Sequence, residues 1–269
     1  MGTRACCLTA NFIGRHPGYP MRRCQWTQYQ SANEAFFRPT ETFSMRFDAL
    51  LADIQQIGFD AVDLWEGTLN PLWATQAYFD AVNEALSRRS MSVQSLSGNV
   101  GDDLESVQAF CRAAKALDCR VLCGDCAALQ TDFPGVVALL RQEGMRLAVV
   151  NRWDKTPGQL LERIHDGVAG VVGVCVDSGA FVQQDYEPQQ ALKELAPVLM
   201  YTRFRDVKAQ GAALLDCRFG QGVVNLPRCV QALEQIQYQG CISVVNESTN
   251  AGPQDDLKAL LRMLNSWLR

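Results

Sequence analysis

The sequence predicts a single α/β domain built as a (β/α)8 TIM barrel, and three observations predict it. A unit of helix, glycine and strand recurs about eight times, the count a closed barrel of roughly 250 residues needs. The apolar run 171–177, Val-Val-Gly-Val-Cys-Val-Asp, is short and rich in β-branched residues. Such a run reads as a strand buried on both faces, as in a parallel sheet. Finally, the 269 residues show no linker or shift in composition that would split them, so one domain over 1–269 is expected. A doubly wound sheet fits the same alternation but needs a reversal of strand order that periodicity does not reveal.

Taken in order, Ala5–Phe12 reads as the first strand. The segment from Ile13 to Pro39 holds Gly14, Pro17, Gly18 and Pro20 with several aromatics and reads as a long loop. Loops of that length in compact domains are usually functional. Trp26, Tyr29 and Phe36 are placed to cover the barrel mouth, or simply to pack. Thr40-Glu-Thr-Phe opens a helix with N-cap chemistry. Phe47, Leu50, Leu51, Ile54 and Ile57 then share one face, and Gly58 stops it. Strand Phe59–Trp65 follows. A helix ending at Asn83–Arg89 precedes strand Ser92–Ser97, and helix Asp103–Leu117 precedes strand Arg120–Asp125. Helix Phe133–Glu143 leads to strand Arg146–Arg152, and Pro157–His165 to Val171–Asp177. Helix Pro188–Leu195 leads to strand Tyr201–Asp206, and Leu226–Gln237 to Cys241–Val245. Helix Asp255–Leu268 comes last.

Composition excludes several classes of function. At 48% hydrophobic and 20% charged, with net charge -4, the chain has no basic footprint for nucleic acid. No apolar stretch approaches the roughly 20 residues of a membrane span. The start, Met1-Gly-Thr-Arg-Ala-Cys-Cys-Leu, is a poor signal peptide, so a cytoplasmic, reducing location is expected. Eleven cysteines sit mostly inside apolar segments and read as small buried residues. Cys123-Gly-Asp-Cys126 has the C-x-x-C spacing of redox and zinc sites, with Asp125 between, but no second pair accompanies it. The only histidines are His16 and His165. That count leaves no histidine-rich metal centre, and the strand ends carry no His-based triad.

In a barrel the C-terminal strand ends open on one mouth, where such folds place working groups. The polar residues there are Asp63 and Glu66 after the second strand, Asn99 after the third and Asp125 after the fourth. Asn151, Arg152, Asp154 and Lys155 follow the fifth. Asp177 ends the sixth, Arg203, Arg205, Asp206 and Lys208 lie on the seventh, and Asn246 and Glu247 end the eighth. Together they describe a mixed-charge pocket for a small polar ligand, including anionic ones. Trp65 and Arg218 join Asn151, Arg152, Arg205, Asp206 and Lys208 as candidate substrate contacts. Asp177, Glu247 and Arg203 are the candidate catalytic groups.

Several segments together carry a family resemblance. They are Phe47-Asp-Ala-Leu-Leu-Ala-Asp-Ile, Gly58-Phe-Asp-Ala-Val-Asp-Leu-Trp65, Ala113-Ala-Lys-Ala-Leu117, Gly144-Met-Arg-Leu-Ala148 and Val176-Asp-Ser-Gly179. Arg203-Phe-Arg-Asp-Val207, Gly220-Gln-Gly222, and Tyr238-Gln-Gly240 with Ile242-Ser-Val244 complete the set. On these the chain resembles the xylose-isomerase-like sugar phosphate isomerase/epimerase family over nearly its whole length. The resemblance implies a divalent metal held by Glu, Asp, His and Glu at the ends of strands five to eight, with the two Glu moving protons on a sugar. Here those positions fall on Val150, Asp177, Arg203 and Val245. Two further family histidines fall on Arg152 and Thr68. Valine cannot bind a hard cation and arginine has no lone pair to give. No metal and no other cofactor is therefore expected, and Arg203 is expected to pair with Asp177 instead.

Three readings follow. One is a metal-independent isomerase, epimerase, or lyase or dehydratase of small polyhydroxy or keto compounds. In it Arg203 with Arg152 or Arg205 stabilises an oxyanion, Asp177 or Glu247 serves as base, and Asp206 or Lys208 assists. The alternative is a non-catalytic relative that binds a ligand or serves as a partner subunit. The third is a metal or redox centre at Cys123, Asp125 and Cys126. Similar barrels often form dimers or tetramers, so the resemblance also implies a homo-oligomer.

Overall fold

A computed structural model describes residues 3–19, 26–211, 213–247 and 251–268. Pro20, in the expected loop, lies outside them. Strands β1 (Arg4–Leu8), β2 (Ala61–Trp65), β3 (Ser92–Gly101), β4 (Val121–Cys126), β5 (Arg146–Val150), β6 (Val172–Asp177) and β7 (Leu199–Phe204) belong to one sheet. With β10 (Cys241–Val244) they form a closed barrel in the order β1-β10-β7-β6-β5-β4-β3-β2. Every pairing is parallel. The (β/α)8 reading therefore holds and the doubly wound alternative falls.

The helices follow the predicted order: α1 (Trp26–Phe37), α2 (Thr40–Ile57), α3 (Gln76–Arg89), α4 (Leu104–Ala116), α5 (Ala128–Thr131), α6 (Phe133–Glu143), α7 (Pro157–Arg163), α8 (Ser178–Val182), α9 (Pro188–Glu194), α10 (Leu226–Gln235) and α11 (Gln254–Trp267). Their starts are written locally. The side chains of Asp103, Asp132, Thr156, Asp177 and Asn225 each accept a backbone N–H in the first turn of α4, α6, α7, α8 and α10. α2 buries Phe43, Phe47, Leu50, Leu51, Ile54 and Ile57 on one face. Gly58 then ends it at φ +116°, a left-handed turn suited to glycine.

The core has two faces because the strands are buried on both. Outward-facing residues such as Val62, Leu64, Leu122, Leu147 and Val174 pack against the helix ring. Inward-facing Cys6, Cys123, Ala148, Cys175, Tyr201 and Cys241 fill the barrel. All ten described cysteines are buried and unpaired. Cys123 packs in the interior layer while Cys126 packs in the outer one, so the C-x-x-C spacing does not bring its thiols together.

Several expectations change, and the Thr40 side chain does not cap α2, which Pro39 precedes. The first strand stops at Leu8, and Thr9–Phe12 forms a 3-10 turn. The Thr9 hydroxyl accepts the Trp65 N–H, and the Asn11 amide bridges Val244 O and the Asn246 N–H. These side chains take over the backbone partners that a longer strand would need. The segment 13–39 is not all loop, because α1 occupies its second half. Strand seven begins at Leu199 and ends at Phe204, two residues before the expected Asp206. Strict βα alternation then breaks, since β8 (Asp206–Gln210) and β9 (Ala213–Cys217) form an antiparallel hairpin between β7 and α10.

Candidate active site at the barrel mouth

A cavity of about 790 Å3 opens at the C-terminal ends of the strands. Its walls include Trp26 and Gln30 of α1, Trp65, Glu66, Asn99, Asp125, Val150, Asn151, Arg152, Asp177, Arg203, Arg205, Val245 and Glu247. A second cavity of about 550 Å3 lies at the other end of the barrel, between Arg4, Arg146 and Tyr238, and no carboxylate or histidine lines it. Of these two cavities, the mouth is the one lined by carboxylates.

The four positions expected to mark the family's metal ligands do converge, since Val150, Asp177, Arg203 and Val245 all line the mouth. Their partners differ from expectation. Asp177 and Arg203 are neighbours in register, yet Arg203 pairs with Asp63 of β2 at 3.3 Å. Asp63 is fully buried and has the hydroxyls of Ser97 and Ser243 as its other partners. A buried carboxylate demands a cation, and Arg203 is the one within reach. Asp177 turns the other way. Its Oδ1 accepts the Ala180 N–H at 2.9 Å at the start of α8 and meets Arg205 Nε at 3.3 Å. Thus Arg205, not Arg203, is the cation of Asp177.

Arg205 is the hub of the mouth. Its Nη1 lies 3.4 Å from Asp216 of β9 and 4.0 Å from Glu247. Burial works against its charge, but Asp177, Asp216 and Glu247 outweigh that and raise its pKa. Three carboxyls around one guanidinium cannot all be ionised cheaply. Burial pushes the Asp216 carboxyl up to about 7, with Arg205 opposing and Glu247 reinforcing the shift. Burial likewise raises Glu247. Asp216 Oδ2 accepts the Glu247 N–H at 2.7 Å, so the hairpin fixes the chain that carries Glu247.

The remaining candidates separate. Asn151 lines the cavity, but its amide is occupied at both ends by the Asp177 backbone, at 3.1 and 2.6 Å. It positions β6 against β5. Arg152 is 60% exposed at the rim and reaches Asp125 at 3.5 Å. Trp65 forms part of the floor with Leu8 and Val245, and Trp26 packs against it. Asp206 is not a substrate contact. It is fully buried and accepts the N–H groups of Gly220, Gly222 and Val224, which ties down the loop after β9. Lys208 lies exposed on β8, outside the cavity lining. Arg218 is drawn off to Asp256 of α11 at 2.5 Å. Asp206 and Lys208 fall outside the mouth because β7 ends at Phe204 and both belong to β8. Asp63 is a group of the barrel interior, and Asp154 pairs with Arg163 at 2.8 Å. His16 stacks on Phe36 and does not line the mouth.

Asp216 was missed altogether. Its segment, Ala213-Leu-Leu-Asp-Cys217, follows Gly211 and alternates weakly, and a hairpin signal was the only means of finding it. Glu66 stood among the mouth groups without a role. Among the described residues, no group of three or more His, Cys, Asp or Glu side chains is placed to hold a metal ion.

The fold and its mouth define an α/β-barrel protein with a polar, mixed-charge site at the strand ends. The chain belongs to the xylose isomerase-like TIM barrel family, whose model matches residues 51–267. Similar solved structures include a probable 3-DHS dehydratase involved in petrobactin synthesis from Bacillus anthracis, at 13% identity and TM-score 0.67, covering 98% of this chain and 99% of that one. A D-allulose 3-epimerase from Methylomonas sp. is 12% identical with TM-score 0.69, covering 99% and 98%. A D-tagatose 3-epimerase-like protein is 18% identical with TM-score 0.64, covering 81% and 91%. At such identities the likeness is one of fold. No curated protein sequence matches the chain. No helix among the described residues is long and apolar enough to cross a membrane.

Proposed function

We propose that this chain is an isomerase-, epimerase- or dehydratase-type enzyme that moves a proton on a small polyhydroxy or keto compound without a divalent cation. The observation that carries the reading is the joining of two guanidiniums, Arg203 and Arg205, with the protonatable Glu247 in one cavity. The epimerases and the dehydratase of the same fold support the reaction class.

The donor set does not suit the metal that the family implies. Val150 and Val245 offer no lone pair, Arg203 is itself cationic, and the Asp177 carboxylate already serves Ala180 and Arg205. The chemistry is therefore assigned to fixed protein charge. Deprotonation beside a carbonyl sends the C–H electron pair into an enolate whose charge gathers on oxygen. Arg203 and Arg205 line the place where that oxygen is held, and their side chains are mostly buried there. Glu247 exchanges the proton and Asp177 keeps Arg205 aimed.

The test uses chelator-treated protein in D2O with D-fructose, D-allulose, D-tagatose and 3-DHS, followed by proton NMR. Loss of a carbon-bound proton signal that added Mn, Mg or Zn does not accelerate is the expected result. Exchange that appears only with stoichiometric metal sinks the proposal. A second reading, ligand binding or a partner-subunit role without chemistry, is favoured by the fact that Asp177, Arg203 and Arg205 are all engaged in ion pairs. Ketose-induced amide shifts with no exchange in any metal state select that reading.

A further inference from the structure

We propose that Glu66 is a catalytic residue of the mouth, the group that takes the proton from one face of the substrate carbon while Glu247 serves the other. The inference rests on the proton-transfer reading above.

The geometry comes first. Glu66 follows directly on β2, and its N–H donates to Ser97 O at 2.7 Å, which fixes it at the mouth. In the order of strands around the barrel, β2 lies diametrically opposite β6, the strand that carries Asp177. β10, which Glu247 follows, is two strands from β2, so Glu66 and Glu247 line the same cavity from two different walls. The side chain of Glu66 lies across Gly98, where a Cβ would overlap its carboxyl. Gly98 has φ +151°, so both its conformation and its missing side chain make room for this carboxyl.

Its partners are those of a working group and not of a structural ion pair. Among the described residues, no Lys, Arg or His lies within ion-pair distance of Glu66, whereas Asp63, Asp177, Asp216 and Glu247 each have an arginine. Gln30 Nε2 of α1 approaches at 3.4 Å. The charged groups facing it are Glu34 of α1 and Arg152 after β5, and the Asn99 N–H donates to it. Burial, aided by Glu34, pushes its carboxyl up to about 7 against the pull of Asn99, Gln30 and Arg152. A carboxyl half ionised near neutral pH both takes and returns protons readily.

The step balances. The Glu66 carboxylate takes the proton, the C–H pair becomes the C=C bond of an enediolate, and the carbonyl π pair moves onto oxygen. Return of a proton from Glu247 on the opposite face re-forms the carbonyl and inverts the carbon. Solvent then resets both carboxyls. Transfer of this kind needs two carboxyls reaching the substrate carbon from separate walls of the cavity, and Val150 and Val245 supply none.

The experiment compares wild type, E66Q and E66D for deuterium uptake into D-fructose and D-allulose from about pH 5 to 9, with folding checked by thermal melting. E66Q is expected to slow exchange at least about 100-fold with little change in KM, and E66D to recover part of it. The pH limb near 7 should vanish in E66Q. Exchange in E66Q within about threefold of wild type overturns the assignment and leaves the reaction reading standing. Wild-type protein that exchanges no ketose ends both. A second measurement stays with the wild-type protein, following the carboxyl carbon of Glu66 by 13C NMR, its signal identified by its loss in E66D. A midpoint near 7 that moves when D-fructose is added is expected. A midpoint near the ordinary glutamate value overturns the assignment even where E66Q fails to fold.

Discussion

Removing Arg203 while leaving Asp63 in place tests the account of the barrel interior. Arg203→Ala strands a carboxylate that is fully buried, with hydroxyls as its remaining partners. At the observed 3.3 Å and an effective dielectric near 20, the pair attracts by about 5 kcal/mol. Desolvation offsets part of this in the intact protein but not in the variant. Loss of one partner of a buried pair costs about 3–5 kcal/mol in general. Arg203→Ala is therefore expected to lower stability by about that amount, read as the shift in urea midpoint multiplied by the m-value. Asp63→Asn alone should cost somewhat less, because Arg203 keeps a route to the cavity. The double variant Asp63→Asn/Arg203→Ala should be more stable than the sum of the single losses by at least about 2 kcal/mol, since no charge is left buried alone. A single variant within about 1 kcal/mol of the parent, or strict additivity in the cycle, refutes the pairing.

Other predictions follow from the same geometry. Asp216 holds its proton more tightly when folded, at about 7 against about 4 unfolded, so its contribution to stability is full below pH 4 and lost as pH rises through 7. Asp216→Asn should remove that loss, so its stability relative to the parent should rise between those limits; a pH-independent difference in urea midpoint argues against the shift. Asp206→Ala orphans the N–H groups of Gly220, Gly222 and Val224 and should cost about 3 kcal/mol or more. Hydrogen exchange at those amides should quicken, and unchanged protection there contradicts the assignment. Gly124→Ala places a Cβ against the Gly98 carbonyl at φ +157° and should destabilise by more than about 1 kcal/mol. A thermal midpoint equal to the parent's is inconsistent with that close approach.

Much of the architecture was legible because its signals are local. The face of α2 made of Phe47, Leu50, Leu51, Ile54 and Ile57, the stop at Gly58, and the buried run ending at Asp177 each depend on neighbours in the chain. Two strand lengths differ, the first ending at Leu8 and the seventh at Phe204. Nothing in Arg203-Phe-Arg-Asp-Val-Lys marks locally where β7 ends and a hairpin begins. Reading the seventh strand past Phe204 carries Asp206 and Lys208 into the mouth.

By itself the sequence determined the βα periodicity, the parallel barrel, and the presence of Asp177, Arg203 and Glu247 at its C-terminal end. Only the tertiary structure decided which charges meet. Arg203 is in register with Asp177, yet it pairs with Asp63, 140 residues away in the chain. That choice is a matter of burial and side-chain direction that spacing along the chain does not encode. For the same reason Asp216, brought in by a hairpin outside the barrel, completes the cluster around Arg205, and Glu66, resting on a glycine of the next strand, is a mouth carboxyl with no cation in ion-pair reach among the described residues.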